Sequence, residues 1–239
     1  MSGRVELRPH QREAVAAGVD ALSGTRHAAA TIIAACGTGK TLIGKRVAEH
    51  FAERGSVLVL VPTLELLTQT AARWLADGGF DQLIGVCSLP GVHDRSLRGH
   101  LLLTGNARVL ARRVAEGGRI AVFATYASLP TIAEAHRGER LPPWVFALAD
   151  EAHRTSGDWD KRWALIHDDR AIPAAHRLYM TATPRNWRTT QNPKARTLSS
   201  PGLSALLLCV CTAVSHFFWV VLWWLGCSQC GVGRRTATV

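Results

Sequence analysis

The chain has 239 residues, with 28 Lys and Arg against 18 Asp and Glu and a formal charge of +10 at pH 7. That length allows one full α/β domain with a sizeable core, and a basic balance rich in arginine suits phosphate recognition and a nucleic-acid partner. The ten histidines are scattered without metal-ligand spacing, which argues against a histidine metal centre. Met1-Ser2-Gly3-Arg4-Val5-Glu6 has no apolar core, which argues against a secretory signal and leads us to expect a cytoplasmic protein with reduced cysteines.

Short apolar runs suited to strands buried on both faces fall at Ala30–Ala34, Val57–Val61, Leu83–Cys87, Ile120–Thr125, Trp144–Ala149 and Arg177–Thr181. Helical stretches lie between several of them. Thr41–Arg54 runs to Gly55, Leu64–Asp77 to Gly78-Gly79, and Asn106–Glu116 to Gly117-Gly118, each glycine acting as a stop. Thr63 and Thr104 are the candidate N-caps. Strand–helix alternation of this kind predicts a doubly wound parallel sheet flanked by helices.

The most informative stretch is Ala34-Ala35-Cys36-Gly37-Thr38-Gly39-Lys40-Thr41, set between the first apolar run and the first helix. A strand, a glycine turn and a helix N-terminus together make a phosphate cradle. Gly37, Thr38 and Gly39 would wrap the phosphates, Lys40 would reach the terminal ones, and the Thr41 hydroxyl would ligate Mg²⁺. Downstream, Asp150-Glu151-Ala152-His153 follows the buried run Trp144–Ala149. Adjacent carboxylates at a strand's C-terminal end fall where an open α/β sheet places its ligand chemistry. Asp150 is assigned to Mg²⁺ through water, and Glu151 to orienting and deprotonating the attacking water.

With these residues in place, residues 1–188 resemble the first RecA-like domain of a superfamily 2 DEAD/DEAH-box helicase. The similarity lies in the branch shared with type III restriction-enzyme helicase subunits and related bacterial DNA translocases. Five segments carry it in order: Leu7-Arg8-Pro9-His10-Gln11, Ala34 to Thr41, Val61-Pro62-Thr63 with Leu66 and Gln69, Asp150 to His153, and Thr181-Ala182-Thr183-Pro184. The resemblance implies a P-loop ATPase using ATP and Mg²⁺ and acting on double-stranded DNA. It implies that Gln11 reads adenine, that Pro62, Thr63 and Gln69 touch the nucleic-acid backbone, and that His153, Thr181 and Thr183 couple nucleotide state to strand binding. Thr125-Tyr126-Ala127-Ser128-Leu129 is similar to a segment near the strand-binding face, which makes Thr125 a nucleic-acid contact. A helix cap with a packed tyrosine reads the same residues equally well. Trp159 and Trp163 read as core packing, and Cys36 as a small apolar filler.

No acidic residue follows Asp169, and from Thr189 the composition changes, leading into the nearly unbroken apolar run Leu203 to Gly226. A membrane span over 203–225, a zinc site using Cys209, Cys211, Cys227 and Cys230, and a shifted reading frame are the three readings. A frameshift explains the composition change, the lost acids and the end of the family motifs together. The expectation is therefore a domain over 1–188 and an unrelated apolar tail over 189–239. In such helicases a second RecA-like domain supplies an arginine finger, worth roughly 10³–10⁵ in rate. No segment here matches it, so the chain is expected to bind ATP–Mg²⁺ weakly and turn it over slowly unless a partner chain supplies that domain. The alternative is a non-catalytic nucleotide- or nucleic-acid-binding module tethered to a membrane or a partner.

Overall fold

The computed structural model describes residues 4–24, 28–87, 97–152 and 162–182, and the backbone of 205–212 and 218–223. Strands β1 (Ala28–Ile33), β2 (Gly55–Val61), β3 (Gln82–Val86), β4 (Leu101–Thr104), β5 (Arg119–Thr125), β6 (Phe146–Asp150) and β7 (His176–Thr181) alternate with helices. The helices are α1 (Pro9–Ser23), α2 (Lys40–Phe51), α3 (Leu64–Asp77), α4 (Ala107–Ala115) and α5 (Leu129–Gly138). These strands pair in parallel in the order β4-β3-β5-β2-β6-β7-β1. The predicted α/β sheet is the observed one.

Both faces are covered, which is why the central strands read as continuous apolar runs rather than alternating ones. Val57, Val59 and Val61 of β2 join the layer packed by α1, α2 and α3. Leu58 and Leu60 enter the opposite layer with α4 and α5. Trp74 of α3 stacks on Phe80 and meets Phe123 edge-on. Gly44 lets α2 press on the sheet: a Cβ there would lie 2.7 Å from Leu148 Cδ2 and 3.1 Å from Met180 Sδ.

Several boundaries move. Helix α2 ends at Phe51, and Gly55 opens β2 at φ +98° rather than stopping the helix. Val145 explains the glycine, since a Cβ would sit 2.9 Å from its Cγ1. Thr63 caps α3 as expected, its hydroxyl accepting from the Leu66 amide. Thr104 does not cap α4. Asn106 does, accepting from the amides of Arg108 and Val109, while Thr104 accepts from the Asn106 amide. Within the apolar run 203–225, the described stretches are strands, not a helix. Ala205–Thr212 (β8) runs parallel to β1, and Phe218–Trp223 (β9) runs antiparallel to β8. Among the described residues no helix is long and apolar enough to cross a membrane.

A buried charge cluster fastens the outer side of α2. Lys45, only 1% exposed, pairs with Glu49 and with Asp77 at 2.6 Å. Arg46 grips Asp77 as well, and donates to the Val5 carbonyl at 2.9 Å. The Val5 amide donates back to Asp77 at 2.7 Å. Burial works against ionisation of Asp77, but hydrogen bonds from Arg46, Lys45 and the Val5 amide hold its carboxyl well below the usual range.

On the other face, Arg177 donates to the carbonyls of Ile166 and Ile172, fastening the segment before β7. His167 there lies 2.9 Å from the Tyr179 hydroxyl. Burial, with the charge of Arg177, pushes the imidazole down from 6.5 to about 4. The unfolded chain binds that proton first, so His167 withdraws stability as pH falls from about 6.5 to about 4. Asp77 withdraws its share only below its ordinary value of 3.8. Urea titrations across pH should show both windows. Asp77→Ala, which leaves Lys45 and Arg46 to share Glu49 alone, should lose up to roughly 3–5 kcal/mol at pH 7.

Candidate active site

The first site element is the turn between β1 and α2. Gly37 and Gly39 sit at φ +83° and +88°, a left-handed backbone that glycine adopts without strain. The Thr38 hydroxyl donates to the Ala35 carbonyl at 2.8 Å, which closes the loop on itself. Among the described residues, the amides of Gly37, Gly39, Lys40 and Thr41 meet no protein acceptor. Four donors at a helix N-terminus fit a phosphate group, and the helix dipole adds to that fit. Thr41 lies half-buried in the first turn of α2. Cys36 is exposed on the loop and does not fill the core.

Gln11, in the first turn of α1, is buried against this loop. Its Oε1 accepts from the Arg8 amide, and its Nε2 donates to the Thr38 carbonyl at 2.9 Å. His10 Nε2 comes within 3.2 Å of the same carbonyl, a contact that spacing alone did not reveal.

The second element is the end of β6. Parallel pairing puts β7 between β6 and β1, with Asp150 opposite Met180 and Thr181 opposite Ile33. The Thr181 carbonyl accepts from the Ala34 amide at 3.0 Å, so the segment that Thr181 opens is bonded directly to the start of the cradle. Lys40 donates to the Ala34 carbonyl at 3.2 Å, and its Nζ lies 3.8 Å from Glu151 Oε1. Burial, then the neighbouring charge of Glu151, raises the Asp150 carboxyl above its ordinary value, against the pull of the Glu151 amide and Lys40. Glu151 sits at φ +52°. A non-glycine residue held there carries about 1–3 kcal/mol of strain.

The third element is the rim beyond β6. Val61 and Thr125 pair across β2 and β5, so Pro62, Thr63 and Thr125 line one edge. Pro62 and Thr125 are half-buried, and Thr63 and Gln69 are exposed. Gln69 Nε2 donates to Glu65 at 3.2 Å. Trp163 is half-buried against the core, its ring 6.0 Å from that of Tyr126. His153, Trp159 and Thr183 lie outside the described residues.

The family described as type III restriction enzyme, res subunit (ResIII) matches residues 4–186. The chain belongs to it. Solved structures agree with this ResIII assignment. A nuclease-deletion mutant of the Type ISP restriction-modification enzyme LlaGI, in complex with a DNA substrate mimic, is 26% identical over 74% of the chain, with a TM-score of 0.63. The ATP-dependent Type ISP enzyme LlaBIII bound to DNA is 27% identical over 76%, with a TM-score of 0.60. The ResIII chain spans only 15% and 13% of those two proteins. The Hef helicase domain of Pyrococcus furiosus shares the fold at 19% identity, covering 84% of this chain and 38% of its own, with a TM-score of 0.56. No curated protein matches.

A Cβ on Gly39 would fall 2.3 Å from Gln11 Nε2, whereas one on Gly37 meets nothing within 4 Å. Both alanines incur left-handed strain of roughly 1–2 kcal/mol. Gly39→Ala should therefore unfold at lower urea concentration than Gly37→Ala, and equal midpoints would contradict the Gln11 contact.

Proposed function

We propose that this ResIII chain is the ATP-binding domain of a DNA-acting helicase or translocase, in which hydrolysis is coupled to strand binding. The observation that carries the reading is the approach of Lys40 to Glu151, at 3.8 Å, beside four cradle amides that meet no protein acceptor among the described residues. Residues far apart in sequence meet where a nucleotide's terminal phosphate would lie.

In this reading Gly37, Thr38, Gly39 and Lys40 hold the phosphates, and Gln11, already tied to the loop, closes over the adenine. Thr41 and Asp150 hold Mg²⁺, which neutralises phosphate charge when bound. Glu151 orients the attacking water and takes its proton, a role the left-handed backbone serves by turning its carboxylate toward Lys40. Pro62, Thr63, Gln69 and Thr125 contact the backbone of duplex DNA along the rim. Thr181, through its carbonyl bond to Ala34, relays nucleotide state, with His153 and Thr183 in the same role. A second RecA-like domain, in the same polypeptide or a partner, completes the cleft. The domain spans residues 1–188, and 189–239 form a separate tail whose strand β8 adds to the sheet beside β1. DNA binding and ATP use are supported by the Type ISP neighbours, LlaGI in complex with a DNA substrate mimic and the ATP-dependent LlaBIII bound to DNA.

Lys40→Ala should abolish ATP binding. Glu151→Gln should keep binding and lower turnover by roughly 10²–10⁴, the usual worth of a positioned general base. Isothermal titration with single-turnover hydrolysis checks both. Robust DNA-stimulated turnover that survives Lys40→Ala would contradict the reading.

A further inference from the structure

One peptide plane joins the two acidic residues, and both of its ends are held. Its N–H, from Glu151, donates to Asp150 Oδ1 at 2.9 Å. Its carbonyl, from Asp150, accepts from the Tyr126 hydroxyl at 2.6 Å. Glu151, next along the chain, sits at φ +52°. A left-handed backbone at a glutamate persists where its surroundings hold it, and a fixed peptide plane before it holds one side of that torsion.

The phenol reaches this carbonyl from two strands away. Tyr126 follows β5, while Asp150 ends β6, with β2 between them. Its ring is 1% exposed and lies beside Trp163, so packing delivers the hydroxyl to one place. The preceding residue, Thr125, stands on the rim opposite Val61. Its hydroxyl lies 3.0 Å from that of Ser128, which closes the short 3₁₀ turn Tyr126–Ser128. A single turn therefore carries both a rim threonine and the phenol that sets the catalytic peptide.

We infer that Tyr126 is a positioning residue that holds the Asp150–Glu151 peptide and transmits strand occupancy at Thr125 to Glu151. The inference rests on the hydrolytic reading of Asp150 and Glu151 given above. A strand phosphate engaging Thr125 draws on the turn, the turn moves the phenol, and the phenol tilts the peptide plane. The cradle that sets ATP affinity is untouched, so the effect falls on turnover and not on binding.

Tyr126→Phe removes the hydroxyl and keeps the ring. On the full chain it should lower kcat about three- to tenfold, the worth of one buried neutral hydrogen bond, with KM for ATP within about twofold. Residue-resolved hydrogen exchange gives a readout independent of activity. The Glu151 amide should exchange faster in Tyr126→Phe at an unchanged melting temperature. Duplex DNA should alter that exchange in the wild type but not in the variant. Should Tyr126→Phe fail to fold, Ser128→Ala loosens the same turn, and a kcat-only loss is again expected. Unchanged kcat and unchanged Glu151 exchange would overturn the inference, as would kcat and KM shifting together. Lys40→Ala assayed alongside separates the two claims. Turnover that survives it removes the hydrolytic reading, whereas the Glu151 exchange still decides the role of Tyr126.

Discussion

The missing side chain at Gly44 sets the distance on which the site depends. Helix α2 lies so close to β6 and β7 that a methyl would meet Leu148 Cδ2 at 2.7 Å and Met180 Sδ at 3.1 Å. Lys40 sits about one turn before Gly44 on that helix, and Leu148 sits just before Asp150 on its strand. The close approach in the core therefore appears at the surface as the 3.8 Å separation between Lys40 and Glu151. Alanine would favour the helix by about 1 kcal/mol over glycine. Overpacking a core this dense costs about 1–3 kcal/mol, so contact and not propensity accounts for the glycine.

Charge is arranged around α2 to the same end. On its outer side, Lys45 and Arg46 are paired with Glu49 and Asp77 in a buried cluster that also captures the backbone of Val5. Such pairs fix a geometry more than they add stability. They hold the helix rigidly from behind, while its N-terminal amides meet no protein acceptor among the described residues. Opposite that end, burial leaves Asp150 reluctant to ionise, and Glu151 holds a left-handed backbone.

Much of this was legible in the sequence because each signal had a local cause. Apolar runs marked the buried strands, and Gly37 and Gly39 marked a turn that only glycine makes easily. Asp150 and Glu151 were conspicuous at the end of a buried run. Contacts between distant segments were not legible. Gly55 read as a helix stop because Val145, its real reason, lies far along the chain. Thr104 read as the cap because the helix was drawn from Asn106, whereas the helix starts at Ala107 and Asn106 itself caps it. Strand β4, with just Leu101–Thr104, gave too short a run to stand out, and α1 was hidden behind its motif. Tyr126 read equally well as packing because its hydroxyl bond spans two strands. Cys36 looked apolar in composition, yet the outward bulge of the glycine turn exposes it.

The account stands on the cradle amides receiving phosphate. The direct measurement is a ¹⁵N spectrum of the chain titrated with ATP and Mg²⁺. Saturable shifts should concentrate at Gly37, Gly39, Lys40 and Thr41, with a smaller response at Glu151. Saturation that leaves those amides unmoved, or shifts centred elsewhere on the sheet, would contradict it.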